Sequence, residues 1–199
     1  MNFTLFYIAF LFLSLIYRQM RRSATSRNKE EKGVIYSKSI YPIQFILYMV
    51  LFIGCAIEYL LFRRRVNLAI CSTGFIMYFF GIFNREWVIK SLGKYWSHYI
   101  EIKKDHRLIK EGPYRYVRHP HLLCLLIEMT GLALIPNSYY SLLLIWLIYL
   151  PITLWRIYLE EKALIEKFGK EYIEYKKEVY ALLPLNFIKG VLAKGRDYR

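Results

Sequence analysis

The polar residues best suited to chemistry fall into two clusters, each beside a long apolar run. The first is HRLIKEGPYRYVRHP, residues 106–120. Gly112-Pro113 is a turn signal and Pro120 suits the first position of a helix, so the segment ends with backbone donors at a helix amino terminus. Such an end favours a carboxylate or phosphate. The same residues also read as a basic interfacial loop whose His and Arg meet lipid headgroups. The second cluster is Arg156, Glu160 and Glu161. Arg156 and Glu160 are four residues apart, so they share a helix face and can pair. That pair is either an ordinary surface contact worth about 0–1 kcal/mol or a functional one, because ionisable groups at the end of an apolar run are costly unless partnered or used.

Glu128 lies inside an apolar run, where an isolated carboxylate costs several kcal/mol. It either lines a polar pocket or is a protonated or hydrogen-bonded core acid. Glu58 is expected to pair with the tip Arg63–Arg65. Cys55, Cys71 and Cys124 sit within apolar runs without metal spacing, so they read as packing residues, and neither a disulfide framework nor a metal site is expected.

The elements that position these clusters follow from composition. Of 199 residues, 56% are hydrophobic and 18% aromatic, with positive mean hydropathy, too apolar for a soluble domain of this size. A membrane span needs roughly 17–25 mostly apolar residues. Five runs qualify approximately: residues 3–17, 40–62, 66–83, 122–135 and 138–158. The first reads as a retained span rather than a signal peptide, with Arg18 snorkelling to the headgroups. Residues 18–39 read as a loop. Within 84–120, Trp87, Leu92, Trp96 and Tyr99 recur at helical spacing, as in an interfacial helix. From Glu160, Leu164, Phe168, Tyr172 and Tyr175 share a face of a charged helix closed by Pro184. The fold class is therefore all-α, a polytopic membrane protein with about five transmembrane helices, an interfacial helix and a cytoplasmic C-terminal helix. A three-helix N-terminal region, residues 1–83, precedes a catalytic region, residues 84–199.

The net charge is +14, but the cations lie between apolar runs, so membrane lipids rather than nucleic acid are the expected partners. All but three of the 29 Lys and Arg fall on one side of a five-span arrangement, which puts residues 18–39, 84–120 and the tail in the cytoplasm.

The run LGKYWSHYIEIKKDHRLIKEGPYRYVRHP, followed after a helical hairpin by RIYLEEKALIEKFGKEYIEYKKEV, resembles the isoprenylcysteine carboxyl methyltransferases and the related phospholipid N-methyltransferases. The resemblance spans roughly residues 84–184. It implies S-adenosylmethionine as methyl donor, with His106, Leu108, Gly112, Tyr114, His119, Pro120 and Glu161 lining its pocket, and Arg156 and Glu160 near the methyl acceptor. Two positions depart from the family pattern. Leu122 stands where the family has Tyr, and Cys124 where it has Gly, which restricts close helix approach.

The implied reaction is an in-line displacement at the sulfonium methyl. A carboxylate acceptor is already ionised at neutral pH and needs no base; Arg156 would orient it and Glu160 would fix Arg156. The acceptor implied is a lipidic small molecule or prenylated chain. For an amine acceptor, as in phospholipid N-methylation, Glu128 or Glu160 becomes the candidate base. A non-enzymatic membrane scaffold is the reading from another class.

Overall fold

The computed structural model describes residues 3–27, 33–63 and 65–184. The basic tail, residues 185–199, and residues 28–32 of the expected first loop lie outside the described residues. Helices α1 (Phe3–Arg27), α2 (Ile40–Phe62) and α3 (Leu68–Leu92) are followed by α4 (Pro120–Leu134), α5 (Tyr139–Leu144), α6 (Leu150–Phe168) and α7 (Lys170–Glu178). A π-helical stretch, Ile145–Tyr149, joins α5 to α6, so the two form one rod. Among the described residues, four helical stretches are long and apolar enough to cross a membrane, namely Phe3–Arg21, Ile40–Phe62, Leu68–Tyr95 and Tyr139–Phe168; α4 is apolar but shorter. The protein is an all-α polytopic integral membrane protein.

Several elements differ from the sequence reading. The α1 helix continues through Arg27 rather than ending at Tyr17. The first half of the expected interfacial helix is the last part of α3, because nothing between Phe83 and Leu92 breaks a helix; Gly93, at φ 53°, stops it. The second half is a short 3-10 turn, Gly93–Tyr95, and then irregular chain with a bend at His98–Tyr99 that leads into strand β2 (Ile100–Ile102), which pairs antiparallel with β1 (Val34–Ser37) in the register Val34↔Ile102 and Ile35↔Glu101. The charged C-terminal helix is likewise broken at Gly169 (φ 55°), which turns α7 away from α6.

The core runs through α1–α4 and the α5–α6 rod, with Tyr7, Phe52, Tyr78, Met129, Ile145 and Tyr149 buried together. Leu5, Ile46, Ile76, Phe83 and Leu147 are exposed on the outer faces, as lipid-facing residues should be. Helices α3 and α4 touch backbone to backbone. A Cβ on Gly131 would stand 2.6 Å from Gly74 O and from Tyr78 N, and one on Gly81 would stand 2.9 Å from Cys124 O. Small residues permit this approach in membranes. Cys124 therefore does not prevent close packing, because Gly81 supplies the room from the facing helix.

At the end away from the polar clusters, the turns cap one another. Asn67 accepts from Ala69 N and Ile70 N at the start of α3, and its own N–H donates to Asn137 Oδ1 at 2.7 Å. Glu58 accepts from Tyr140 N, Ser141 N and Ser141 Oγ, so it caps α5. Asn137 takes a left-handed conformation, φ 59°, in the turn expected at Pro136-Asn137.

Candidate active site

Two cavities lie side by side where α6 leaves the helix bundle. The first, a polar cleft of about 690 Å³, is lined by His106, Leu108, Tyr114 and Glu160, with Tyr95 and Arg118. The second, about 1020 Å³, is lined by Arg18, Arg85, Arg156 and His121 among apolar side chains such as Phe45 and Leu125.

The wall between them is the segment 95–99, which leaves the short 3-10 turn Gly93–Tyr95, is extended at Trp96 and bends at His98–Tyr99 before β2. Its side chains alternate: Tyr95, Ser97 and Tyr99 line the polar cleft while Trp96 and His98 line the arginine-rich cavity. Arg156 holds the wall in place: its Nη2 donates to His98 O at 2.8 Å and its Nη1 to Gln44 Oε1 at 2.7 Å. Gln44 Nε2 in turn donates to Thr153 Oγ1 at 3.1 Å.

The expected pair of Arg156 with Glu160 does not form. One turn along α6, Glu160 faces the other cavity, where its Oε2 lies 3.8 Å from His119 Nδ1. Arg156 is directed instead toward α2, whose Gln44 offers a neutral buried acceptor.

The RHP triplet is locked from behind. Arg118 Nε and Nη2 donate to Glu161 Oε1 at 2.9 and 2.6 Å, and Nη1 donates to the carbonyls of Lys176, at 3.0 Å, and Val179. Lys176 Nζ reaches Glu161 Oε2 at 2.5 Å. Arg118 N and His119 N donate to Tyr180 O and Ala181 O, so the chain after α7 straps across the triplet. His119 is buried, its Nε2 3.5 Å from Glu161 Oε1, and Pro120 opens α4. Gly112, at φ 61°, starts the short turn that presents Tyr114, whose carbonyl accepts from Tyr175 Oη at 2.5 Å. Burial raises the Tyr114, Tyr172 and Tyr175 hydroxyls above their ordinary range, so all three stay protonated.

His106 stacks on Tyr95 with centroids 4.7 Å apart and rings inclined by 9°, and meets the edge of Phe168 at 5.9 Å. Its Nδ1 is buried without a partner. Desolvation lowers its pKa below the usual 6.5, which keeps the ring neutral.

The structure thus brings His106, Leu108, Tyr114 and Glu160 to one cleft, backs it with Gly112, His119, Pro120 and Glu161, and sets Arg156 in the neighbouring cavity. Glu128 lines neither cavity. It is fully buried between Arg18, which donates to Oε2, and Arg85, whose Nε lies 3.4 Å from Oε1. Arg18 is therefore drawn inward and does not snorkel. Leu122 is buried outside both linings. The sequence reading missed Arg118, Arg18 and Arg85 as site residues; Arg118 is the first residue of the RHP triplet, and that membership is the signal that could have found it.

Fold and site together define a polytopic helical membrane protein with a polar cleft and a cationic cavity separated by one segment, residues 95–99. The model of the isoprenylcysteine carboxyl methyltransferase family matches residues 73–166, which carry that segment and part of both linings. Over this region the chain is similar to the isoprenylcysteine carboxyl methyltransferase family. It is 32% identical over 127 residues to the protein-S-isoprenylcysteine O-methyltransferase of Saccharomyces cerevisiae, covering 62% of this chain and 53% of that one. It is 26% identical over 164 residues to the uncharacterized protein YpbQ of Bacillus subtilis, covering 76% and 93%. A solved structure of a eukaryotic intramembrane Ras methyltransferase, ICMT, shares the fold with a TM-score of 0.61 and 24% identity, covering 74% of this chain and 53% of that one. The chain spans about half the length of the isoprenylcysteine methyltransferases of the two yeasts that it matches.

Proposed function

We propose that the protein is a membrane methyltransferase that moves a methyl group from S-adenosylmethionine to the carboxylate of a lipidic acceptor, with both sites opening on the cytoplasmic side. The observation that carries this reading is the pair of cavities sharing the wall 95–99, one suited to a nucleoside and one to an anionic amphiphile.

The polar cleft fits the donor. The stacked pair His106 and Tyr95, with Leu108, offers flat and apolar surfaces for an adenine. Glu160 supplies a negative charge that can balance a cationic amino acid moiety. When bound, the donor supplies an electrophilic methyl on a sulfonium. The residues behind the cleft hold it in shape: Glu161 anchors Arg118, and Arg118 ties the triplet to the strap after α7.

In the neighbouring cavity, Arg156 is a buried cation with an unpartnered Nε. It orients an acceptor carboxylate by charge-assisted hydrogen bonds. Such a carboxylate is ionised at neutral pH, so no proton has to be removed. Rate enhancement then comes from holding the two reactants in line and excluding water. An amine acceptor would need a base: Glu128 is committed to Arg18 and Arg85 and Glu86 to Arg21, which leaves Glu160, across the wall, as the acidic candidate. Cytoplasmic orientation follows from the distribution of Lys and Arg.

The test uses purified protein, isotopically labelled S-adenosylmethionine and, separately, N-acetyl-S-farnesylcysteine and phosphatidylethanolamine. Base-labile label in the first acceptor supports carboxyl methylation. Base-stable label in the second alone would transfer the reading to N-methylation, and label in neither would count against both.

A further inference from the structure

Carboxylate methylation as derived above uses one cation of the second cavity, Arg156. Three more guanidiniums line it, those of Arg18, Arg21 and Arg85. Arg18 donates to Glu128, and Arg85 approaches the other oxygen of the same carboxylate at 3.4 Å. Glu128 is 0% exposed, so one buried negative charge stands between two positive ones. A net positive charge is left over, separate from that of Arg156. Arg21 and Glu86 do not cancel it, because they pair with each other, with Tyr17 Oη also donating to Glu86.

Donors are left over as well. Arg85 is 9% exposed, and among the described residues its contact with Glu128 is its one ion pair and it donates no hydrogen bond. Arg18 Nε and the hydroxyl of Tyr48, which is 5% exposed, are buried without partners in the same cavity wall. The Arg18 guanidinium lies 4.3 Å from the centroid of the Tyr48 ring, which groups these donors in one place. Buried charge with unfilled donors is unfavourable unless a ligand fills them. Stability of the bundle alone needs one arginine for Glu128; the second is surplus.

We infer that the cavity contains a second anion subsite, formed by Arg18, Arg85 and Tyr48, and that the natural acceptor is an amphiphile with a second oxyanion, carboxylate or phosphate, besides the carboxylate held by Arg156. This rests on Arg156 being the acceptor subsite. Apolar walls such as Phe45, Met49 and Leu125 take the aliphatic part.

The experiment compares N-acetyl-S-farnesylcysteine, with one carboxylate, and N-succinyl-S-farnesylcysteine, with two. Equilibrium binding to the purified protein in uncharged detergent is measured by calorimetry, and turnover with labelled S-adenosylmethionine in parallel. The diacid is expected to bind at least about tenfold more tightly, as one charge-assisted hydrogen-bonded contact supplies. Arg85→Gln should erase the preference for the diacid over the monoacid, and Arg85→Lys should keep part of it. The wild-type comparison needs no variant, so a variant that misfolds leaves it intact; inorganic phosphate should also compete with the diacid and not with the monoacid. Equal affinity of the two acceptors, failure of the diacid to bind, or a preference that survives in folded Arg85→Gln overturns the subsite. Absence of base-labile label with a diacid preference present would instead overturn carboxyl methylation and leave the subsite standing.

Discussion

Arg156 and Glu160 stand one turn apart on α6 and face different cavities, Arg156 toward Gln44 and the wall carbonyl of His98, Glu160 toward His119. A single helix thereby reaches both cavities with two opposite charges, on either side of the wall 95–99.

The strap behind the polar cleft makes Arg118 a positioning residue. Arg118→Ala should weaken binding of S-adenosylmethionine by about tenfold or more, because Glu161 loses its bidentate partner and the carbonyls of Lys176 and Val179 lose their donor. Calorimetry checks the affinity. Limited proteolysis after residue 178 should accelerate in the variant, a readout that a direct ligand contact alone would not move.

On the proposed function, His106 should give donor binding an acid limit. Burial holds its pKa below 6.5 in the folded protein, so its contribution to stability is complete above the unfolded value and is lost as pH falls through the folded one. A stacked adenine desolvates the ring further, so donor affinity should be flat above pH 6.5 and fall on the acid side of it. His106→Phe should keep the stacking and flatten the acid limb; an unchanged limb would assign the titration to another group.

Gly131 tests the contact of α3 with α4. Gly131→Ala places a methyl group 2.6 Å from Gly74 O and Tyr78 N, and overpacking of this kind costs about 1–3 kcal/mol. Thermal unfolding in detergent should show a clear fall in Tm. A substitution Cys124→Gly, which restores the family residue, should change Tm little, since Gly81 already provides the clearance.

Glu128 should be far more costly to neutralise. Glu128→Gln leaves Arg18 and Arg85 buried and unbalanced, and breaking a buried ion pair typically costs about 3–5 kcal/mol. Loss of folded yield, or a Tm lower than that of Gly131→Ala, is the expected result. A silent substitution would mean that solvent balances both arginines.

Much of this was legible in the sequence, and the omissions have physical causes. The α2 helix was bounded correctly because an unbroken apolar run ends at an arginine tip. The limits of α1 and α3 were not, because hydropathy reports where lipid ends and not where a helix does. Residues 95–99 were read at helical spacing, yet Trp96 and Tyr99 also fit an extended chain, and so short a segment does not distinguish the two periods. The motif residues from His106 to Pro120 were found by their order. The bond from Arg18 to Glu128 spans 110 positions, and nothing local in the sequence announces such a pair. The i, i+4 spacing of Arg156 and Glu160 suggested a contact that the fold replaces with two separate ones, because each side chain finds a better partner across a helix interface.

The two-cavity arrangement is tested most directly by measuring donor and acceptor binding separately in Arg156→Gln and Glu160→Gln. With S-adenosylmethionine and N-acetyl-S-farnesylcysteine as probes, Arg156→Gln should lose about tenfold or more in acceptor affinity and keep donor affinity, while Glu160→Gln should do the reverse. Loss of donor binding in folded Arg156→Gln, or of acceptor binding alone in Glu160→Gln, would contradict the assignment of the two residues to different cavities.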